Sequence, residues 1–360
     1  MNKYQIKEVK GISNHAGSKA REDASFFAQQ LGYESLIIYR TDSQDIFSKA
    51  KRYLGALLNW IRIFFKVKKN SLILLQNPFD SRQMGRESCL KLLKSIKKCK
   101  IISLIHDIEE LRKALYNNNI EHEFQFMKNN SDYFIVHNER MKDYMVGIGF
   151  NTESLIVLEI FDYAFGEYEE KSKDNSTDVI FAGALSRMKS SFIYKLGEMK
   201  NKITFNLYGP AYDEEYKPDN ITYNGSFPSD EVPNVIEGKF GLIWDGEKLD
   251  SCTGNWGNYL RYNNPHKTSL YIVSRVPVIV WKESAMAEFI KKENVGICVD
   301  SLEDIKGIIN NLTGEEYAQM TENTNRIAKK LETGYYLKTA IKKIETLAQL
   351  TYCVKGKKYG

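Results

Sequence analysis

The chain has few cysteines and no apolar leader, and both absences restrict where it is expected to work. Its first residues, MNKYQIKEVKG, are polar and lack the apolar stretch of a secretory signal peptide, so export is not expected. The five cysteines are odd in number, lie far apart and form no CxxC pair; they are Cys89, Cys99, Cys252, Cys298 and Cys353. This usage predicts a reduced, cytoplasmic protein without structural zinc.

Several motifs that define enzyme classes are also missing. The sequence has no GxxxxGK[ST], which argues against a P-loop, and no GxGxxG after an early strand, which argues against a dinucleotide oxidoreductase. It has no GxSxG for an α/β-hydrolase nucleophile. Its five histidines show no metal-ligand spacing and no DxD pair occurs, so no metal is expected.

The composition that is present describes a folded protein of two domains. Apolar residues make up 42% and charged residues 27%, and 360 residues exceed what one core usually serves. The 51 basic and 46 acidic residues leave a net charge of +5 and are spread along the chain rather than gathered in one stripe. Nucleic acid is therefore not an expected partner.

Short apolar runs alternate with amphipathic helical patterns in both halves. The runs are SLIIYR, SLILLQNP, KIISLIHD, DYFIVHN and SLIVLEIFD in the first half, and DVIFAGA, ITFNLYGP, FGLIWDG, VPVIVW and VGICVD in the second. This alternation predicts an α/β protein with two Rossmann-like parallel-sheet domains, 1–160 and 177–333, facing a cleft. Residues 161–176 are the predicted linker, 334–350 a helix that packs back on the first domain, and 351–360 a loose tail.

Polar and aromatic residues follow two strands of the second half. Gly183 comes after a strand and Arg187 near the start of the next helix, where N–H groups and a guanidinium can bind a phosphate together. Tyr208 ends the next strand, and Phe227 lies on a loop where a flat base can stack. The alternatives are an ordinary α/β turn at Gly183 and a hydrophobic staple at Phe227.

The densest group of hydrogen-bonding side chains lies at the start of one helix, KTSLYIVSRV. Asn263, Asn264, His266 and Lys267 are in or beside the loop that enters it, and the unpaired N–H groups of a helix start favour an anion. This cluster predicts a diphosphate site, because an N-cap explains one asparagine but not the whole set.

A long polar segment precedes that cluster, WDGEKLDSCTGNWGNYLRY. Its carboxylates and hydroxyls, Asp245 and Ser251 among them, can hold sugar hydroxyls. The alternative is a solvent-exposed insertion.

The first domain offers two candidate sites. A glycine-containing loop before a helix, ISNHAGSKARED, includes Asn14, His15 and Gly17. Asp107 ends a strand, where a carboxylate can act as general base on an acceptor hydroxyl. Glu109 and Glu110 compete for that role, and an N-cap of the following helix explains Asp107 equally well.

The most apolar segment, LGALLNWIRIFFKVKK from Leu54 to Lys69, is interrupted by polar residues and too short to span a bilayer. Its aromatic and aliphatic residues beside four cations suit a helix lying on a membrane surface. The alternative is a buried helix with its basic end in water.

With these features in place, the chain resembles bacterial glycosyltransferases of the two-Rossmann-domain, or GT-B, class. YLRYNNPHKTSLYIVSRVPVIVW and FGLIWDG followed by LDSCTGNWGNYLRYNNPHK look like the donor-site segments of β-1,6-galactofuranosyltransferases from O-antigen and capsule gene clusters. A wider similarity extends to streptococcal glucosyltransferases that elongate sugars on serine-rich adhesins.

The resemblance implies roles for the residues already named. A UDP-sugar is held mainly by the C-terminal domain, through Arg187, Tyr208, Phe227, Asn263, Asn264, His266 and Lys267. The loop around Asn14 and Gly17, with Asp107, serves acceptor binding and base catalysis. Basic side chains and helix starts replace a metal at the diphosphate, and the reaction inverts the anomeric carbon; the paired glutamates of retaining GT-B enzymes are absent here.

The resemblance also implies the setting of the reaction. The acceptor is a lipid-linked or protein-linked glycan in the cytoplasm, at the inner face of the plasma membrane where the basic helix makes peripheral contact, and the enzyme self-associates as a homo-oligomer. The first expectation is transfer of galactofuranose to a growing polysaccharide. The alternatives are UDP-glucose-dependent transfer to a glycosylated adhesin, and a non-enzymatic scaffold with transferase-like architecture.

Overall fold

The computed structural model describes residues 1–9, 16–39, 46–79, 83–113, 117–166 and 177–356, with side chains omitted for 16–18, 46–52 and 351–356. These residues form two compact units. The first comprises the described residues of Met1–Ser13, Arg21–Leu158 and Leu337–Gly360. The second comprises Glu159–Tyr336 and the start of helix α1 through Ala20.

The first unit is built on a six-stranded sheet of order β2-β1-β3-β4-β5-β6 in which every pair is parallel. Its strands are β1 Lys3–Val9, β2 Glu34–Tyr39, β3 Leu72–Asn77, β4 Lys100–Ile105, β5 Tyr133–Val136 and β6 Leu155–Val157. Its helices are α1 Ala16–Gln30, α2 Ile46–Lys66, α3 Arg86–Ser95, α4 Glu109–Arg112, α5 Asn118–Asn130 and α6 Glu139–Gly147.

The helices of this unit begin where their sequences supply caps. The side chain of Asn117 accepts the N–H groups of Asn119 and Ile120 at the start of α5, and Asn138 caps α6 in the same way. The buried faces of these helices and strands pack into apolar clusters on the sheet, one of which contains Trp60, Ile63 and Leu90. Burial of such side chains is the main stabilising contribution to the unit.

The second unit repeats the arrangement with the order β12-β11-β10-β7-β8-β9, again parallel throughout. Its strands are β7 Val179–Ala182, β8 Phe205–Tyr208, β9 Ile221–Tyr223, β10 Phe240–Ile243, β11 Val278–Trp281 and β12 Gly296–Val299. Its helices are α7 Val232–Val235, α8 Gly254–Tyr259, α9 His266–Val273, α10 Met286–Glu293, α11 Ile305–Asn311 and α12 Gly314–Glu332, and Ser191–Glu198 forms a 3₁₀ helix. The predicted α/β class with two parallel sheets is confirmed.

Helix α13, Tyr335–Gly356, belongs to the first unit from Leu337 onwards. Leu337, Ile341 and Ile344 form its buried stripe, and Glu345 makes a 2.7 Å ion pair with Lys3 of β1. The prediction of a loose tail from 351 is wrong as far as Gly356, because the helix continues to that residue. Residues 357–360 lie outside the described part of the chain.

Helix α2 has one face buried in the core and one apolar face exposed to solvent. Trp60 and Ile63 are buried in the core, whereas Leu58 and Phe65 are exposed. The alternative of a buried helix with only its basic end in water therefore describes one face of α2 and not the other. None of the helices in the described ranges is long and apolar enough to cross a membrane.

The four cysteines whose side chains are described, Cys89, Cys99, Cys252 and Cys298, carry free thiols. Burial raises the pKa of the Cys89 thiol to about 12, and it raises the pKa of Cys99 as well. These two thiols are therefore held in the protonated, unreactive form at neutral pH.

Candidate functional site

The second sheet places its candidate site at a reversal of strand order. The chain runs from β7 outward to β8 and β9, then returns to β10 on the other side of β7. In open α/β sheets, ligands bind beyond the carboxyl ends of the strands at such a switch point. Gly183 follows β7 and Asp245 lies two residues after β10, so two of the predicted site residues occupy this position.

Lys267 lies at the same place, in the first turn of α9. Its Nζ is 3.2 Å from Oδ1 of Asp245 and 4.2 Å from the centre of the Phe181 ring. The two charged side chains are only 12% and 11% exposed. Burial lowers the pKa of Lys267, and the Asp245 carboxylate opposes that shift. A buried ammonium with three donors and one carboxylate partner retains capacity for an anion.

The glycines at the strand ends allow this lysine to approach. A Cβ on Gly183 would lie 2.8 Å from Cε of Lys267, and a Cβ on Gly209 would lie 1.9 Å from the carbonyl oxygen of Gly183. Both glycines have positive φ, +153° and +137°. Larger residues at either position would displace the turn or the lysine.

Three buried polar atoms around the start of α9 have no hydrogen-bond partner among the described residues. They are Oδ1 of Asn263, Nε2 of His266 and Oγ1 of Thr268. Buried polar atoms are nearly always paired, so these three atoms are candidates for contacts with a ligand or with water. The predicted cluster thus coincides with unsatisfied hydrogen-bonding capacity.

Two members of the predicted cluster also bind the segment that opens the second unit. Nδ2 of Asn264 donates to the Glu159 carbonyl at 2.9 Å, and this side chain is buried. The His266 ring stacks on Tyr163 at 5.0 Å between centroids. Burial, with a further contribution from the Lys19 charge, lowers the pKa of His266 to about 4, so the ring is neutral at physiological pH. In this geometry the Asn264 amide binds a backbone carbonyl, and its donor-binding role stays a prediction.

Lys19 lies in the candidate segment ISNHAGSKARED, but sequence reasoning gave this residue no role. Its Nζ donates to the Ala164 carbonyl at 2.6 Å, pairs with Asp230 at 2.8 Å and lies over the Tyr163 ring. No signal in the sequence indicates these contacts, because Lys19 is separated from its partners by more than a hundred residues.

Arg187 is not brought to Lys267 by any contact. Its guanidinium bonds to Asp213 through Nε and Nη2, at 3.1 and 2.8 Å, and lies over the Tyr194 ring. The side chain is 60% exposed. The contact with Asp213 uses only part of the donor capacity of the guanidinium, so the predicted phosphate contact of Arg187 stays a prediction. Lys267, which is largely buried at the switch point, is the better placed cation for an anion.

Tyr208 and Phe227 lie together, as the aromatic prediction requires. Their ring centroids are 6.3 Å apart, and the buried Tyr208 hydroxyl accepts the Glu237 N–H. Phe227 is partly exposed and keeps a face for stacking. The hydroxyl of Ser251 donates its hydrogen to Asp250 at 2.7 Å. In this arrangement Ser251 can contact a sugar hydroxyl only by accepting a hydrogen bond.

The first unit holds the carboxylates predicted as general base. Oδ2 of Asp107 is 3.0 Å from Nη1 of Arg112, and Ile108 occupies the N-cap position of α4, which begins at Glu109. Asp107 thus lies one residue before the N-cap position and binds Arg112, and its role as general base stays a prediction. Burial raises the pKa of Glu110 to about 7. A hydrogen bond from its own backbone N–H acts to lower that pKa, and the negative charge of Glu121 acts to raise it further.

The remaining predicted residues of this unit precede or begin α1. Asn14 and His15 lie outside the described residues, and Gly17 falls in the first turn of α1.

Comparison with solved structures defines the class of protein. Anabaena HepE, solved with UDP, aligns with 96% of this chain and 100% of its own at a TM-score of 0.60 and 13% identity. The glycosyltransferase WaaG aligns over 93% of this chain and 98% of its own at a TM-score of 0.56 and 9% identity. The fold is that of the GT-B glycosyltransferases.

Comparison of sequences defines the family. Models of the N-terminal and C-terminal domains of glucosyltransferase 3-like proteins match residues 3–160 and 179–344. The β-1,6-galactofuranosyltransferase WbbI of Escherichia coli K12 is 36% identical over 95% of this chain and 98% of its own. Glucosyltransferase 3 of Streptococcus gordonii is 26% identical over 94% and 97%. The chain belongs to the glucosyltransferase 3-like family and is a glycosyltransferase.

Proposed function

We propose that this chain transfers galactofuranose from UDP-galactofuranose to a sugar hydroxyl of a growing surface polysaccharide or lipid-linked glycan, in the cytoplasm and with inversion. The observation that carries the proposal is the buried Lys267 ammonium at the switch point, beside three buried polar atoms without partners. The choice of sugar is supported by the 36% identity to a galactofuranosyltransferase.

Lys267 is the residue that would neutralise the donor diphosphate. One of its three donors bonds to Asp245, and the others are available to phosphate oxygens. The start of α9 adds N–H groups and the positive end of a helix dipole. In a site largely removed from water, this charge stabilises the diphosphate as it leaves. No metal is required for that step in the proposal.

The uracil ring would stack on Phe227 beside Tyr208. The pair lies at the carboxyl end of β8 and on the loop after β9, next to the strand that leads to Gly183. Base–aromatic stacking contributes about 1–3 kcal/mol per base. The close turns at Gly183 and Gly209 let the backbone itself approach the nucleotide.

The chemical step would be a single displacement. A carboxylate takes the proton of the acceptor hydroxyl, whose oxygen attacks the anomeric carbon from the face opposite UDP. The bond from that carbon to the diphosphate oxygen breaks, and the electron pair leaves on UDP. Asp107 is the proposed base; the carboxyl group of Glu110, with its raised pKa, is the competitor.

Calorimetric titration of the purified chain with UDP, UDP-galactose, UDP-glucose and UDP-galactofuranose in EDTA tests the donor site. We expect UDP to bind, and Lys267→Ala to weaken binding by about 1.5–3 kcal/mol, the range for a hydrogen bond to a charged group. Lys306→Ala, at an exposed position of α11, is the matched control and should bind like the wild type.

Transfer assays complete the test. Preferred binding of the furanose donor, and a product with the opposite anomeric configuration by NMR, support the proposal. A donor site that binds UDP only when metal is added contradicts the metal-independent part. Binding by no uridine nucleotide leaves the scaffold as the better explanation.

A glucosyltransferase is the second candidate. It is favoured by the family models for glucosyltransferase 3-like domains and by the 26% identity to the streptococcal enzyme. Preference for UDP-glucose over UDP-galactofuranose in the same titration would select it.

A further inference from the structure

Helix α2 carries a second apolar face that the core does not use. Trp60, Ile63 and, just beyond the helix, Val67 are buried in the core of the first unit. On the opposite side Leu54, Leu58, Ile61 and Phe65 are exposed, Phe65 by 76%. Their spacing of four, three and four residues places them in one stripe about 16 Å long. We call these four residues the outer stripe.

The outer stripe is not explained by folding. An isolated exposed leucine is common, but four large apolar side chains in one row are a contiguous patch. The hydrophobic contribution of α2 to the core is already made by Trp60 and Ile63. The stripe therefore points to a partner outside the chain.

Cations flank the outer stripe. Arg62, Lys68 and Lys69 are exposed and make no ion pair within the described ranges, while Lys66 pairs with Glu34 at the surface. The sequence of α2 itself contains five basic residues and no acidic one. Lys97 binds the carbonyls of Phe64 and Val67, so the negative end of the helix is already neutralised from within.

We infer that the outer stripe and its cations dock the protein on the surface of an anionic lipid bilayer. A helix lying in the interface buries its apolar row among the acyl chains and keeps Lys and Arg at the headgroups. A second copy of the chain fits less well, because a two-fold interface through this face would bring the same cations together. The inference does not depend on which sugar nucleotide the chain uses.

Flotation of the full-length chain with phosphatidylcholine vesicles, with and without phosphatidylglycerol, tests the inference. We expect binding to the anionic vesicles that weakens as salt is raised. The triple variant Arg62→Gln, Lys68→Gln, Lys69→Gln should bind roughly a hundred-fold more weakly, at about five-fold per cation. Its control replaces three exposed cations elsewhere: Lys200→Gln, Lys306→Gln and Lys329→Gln.

The apolar row is tested separately. Leu58→Ser with Phe65→Ser should reduce vesicle binding by about tenfold or more, since buried apolar area is lost. Val146→Ser with Met188→Ser, at exposed apolar positions of α6 and of the second unit, should not. Both stripe positions are exposed, and unchanged thermal midpoints will show that the variants fold.

Two results would overturn the inference. One is absence of binding to anionic vesicles at low salt. The other is a loss of self-association, measured by sedimentation, in the Leu58→Ser and Phe65→Ser variant without any change in vesicle binding; the stripe would then be an interface between copies. UDP titration of the same variants separates this inference from the proposed function, because neither set of residues lies in the second unit.

Discussion

The ammonium of Lys267, in the first turn of α9, lies 3.2 Å from a carboxylate oxygen of Asp245, just after β10, and both side chains are largely buried. An ion pair in this position stabilises little by itself, because desolvation of two charges offsets most of their attraction. Its value is that it holds a cation ready, in a place of low solvent access, for a ligand that carries negative charge.

Removal of one partner of this ion pair should lower the free energy of unfolding. We expect Lys267→Met to destabilise the chain by about 3 kcal/mol, because Asp245 would remain buried without a counter-charge. Adding Asp245→Leu should recover much of the loss. Urea unfolding of the single and double variants measures the coupling. Lys282→Met, in an exposed pair with Asp300, is the control and should cost less than about 1 kcal/mol; equal losses at both sites would contradict the argument.

Two glycines with positive φ should respond differently to the same substitution. A Cβ at Gly209 would lie 1.9 Å from the Gly183 carbonyl oxygen, whereas a Cβ at Gly225 meets open space. We expect Gly225→Ala to cost only the backbone strain of about 1–2 kcal/mol. Gly209→Ala should cost clearly more and should weaken UDP binding. Thermal unfolding and UDP titration of both variants check this, and similar behaviour of the two would argue against the close turn.

The His266 ring, whose Nε2 is shielded from solvent, makes stability depend on pH. Its folded pKa of about 4 lies below the ordinary value, so the unfolded chain binds more protons between about pH 6.5 and 4. The stabilisation is complete above about pH 6.5 and is lost as pH falls toward 4, by up to about 3 kcal/mol for this group.

His266→Phe should remove the part of the acid destabilisation that comes from His266, while keeping an aromatic ring against Tyr163. Comparison of wild type and variant at pH 8 measures the packing change alone, since both rings are then neutral. A variant with the full acid sensitivity of the wild type would show that His266 does not titrate as described.

The choice of base can be made by kinetics. We expect Asp107→Asn to reduce kcat by about 10²–10⁴ with little change in KM for the donor, the loss typical of a missing general base. Glu110→Gln should retain transfer. The pKa of Glu110, about 7, supplies the diagnostic: a rate that rises with pH through about 7 in the wild type, and is lost in Glu110→Gln, would assign the base to Glu110 instead.

Most of the architecture could be predicted from the sequence because parallel strands buried on both faces leave continuous apolar runs. The runs around Leu72, Ile101 and Val278 all became strands. β1, Lys3–Val9, was missed because KYQIKEV alternates polar and apolar residues instead. β9 was missed because three partly exposed edge residues give no apolar run.

The sequence predicted the candidate site only for residues whose place in the fold follows directly from the end of a strand or the start of a helix. Lys267 and Gly183 meet because a helix start and a strand end share one edge of the sheet. Arg187 and Asn264 were assigned by the same reasoning, but their partners, Asp213 and the Glu159 carbonyl, come from segments whose path depends on tertiary packing. No local pattern encodes such contacts.

Because α13 completes the first unit, the order of synthesis differs from the order of folding. The second unit ends at Tyr336, while the first still awaits Leu337 onwards, including the ion pair of Glu345 with Lys3. On the ribosome, the unit that is translated first is therefore finished last. A fragment ending at Leu158 would leave bare the surface of the first unit that α13 covers, so an N-terminal half expressed alone should be less soluble than the same half with α13 supplied in trans.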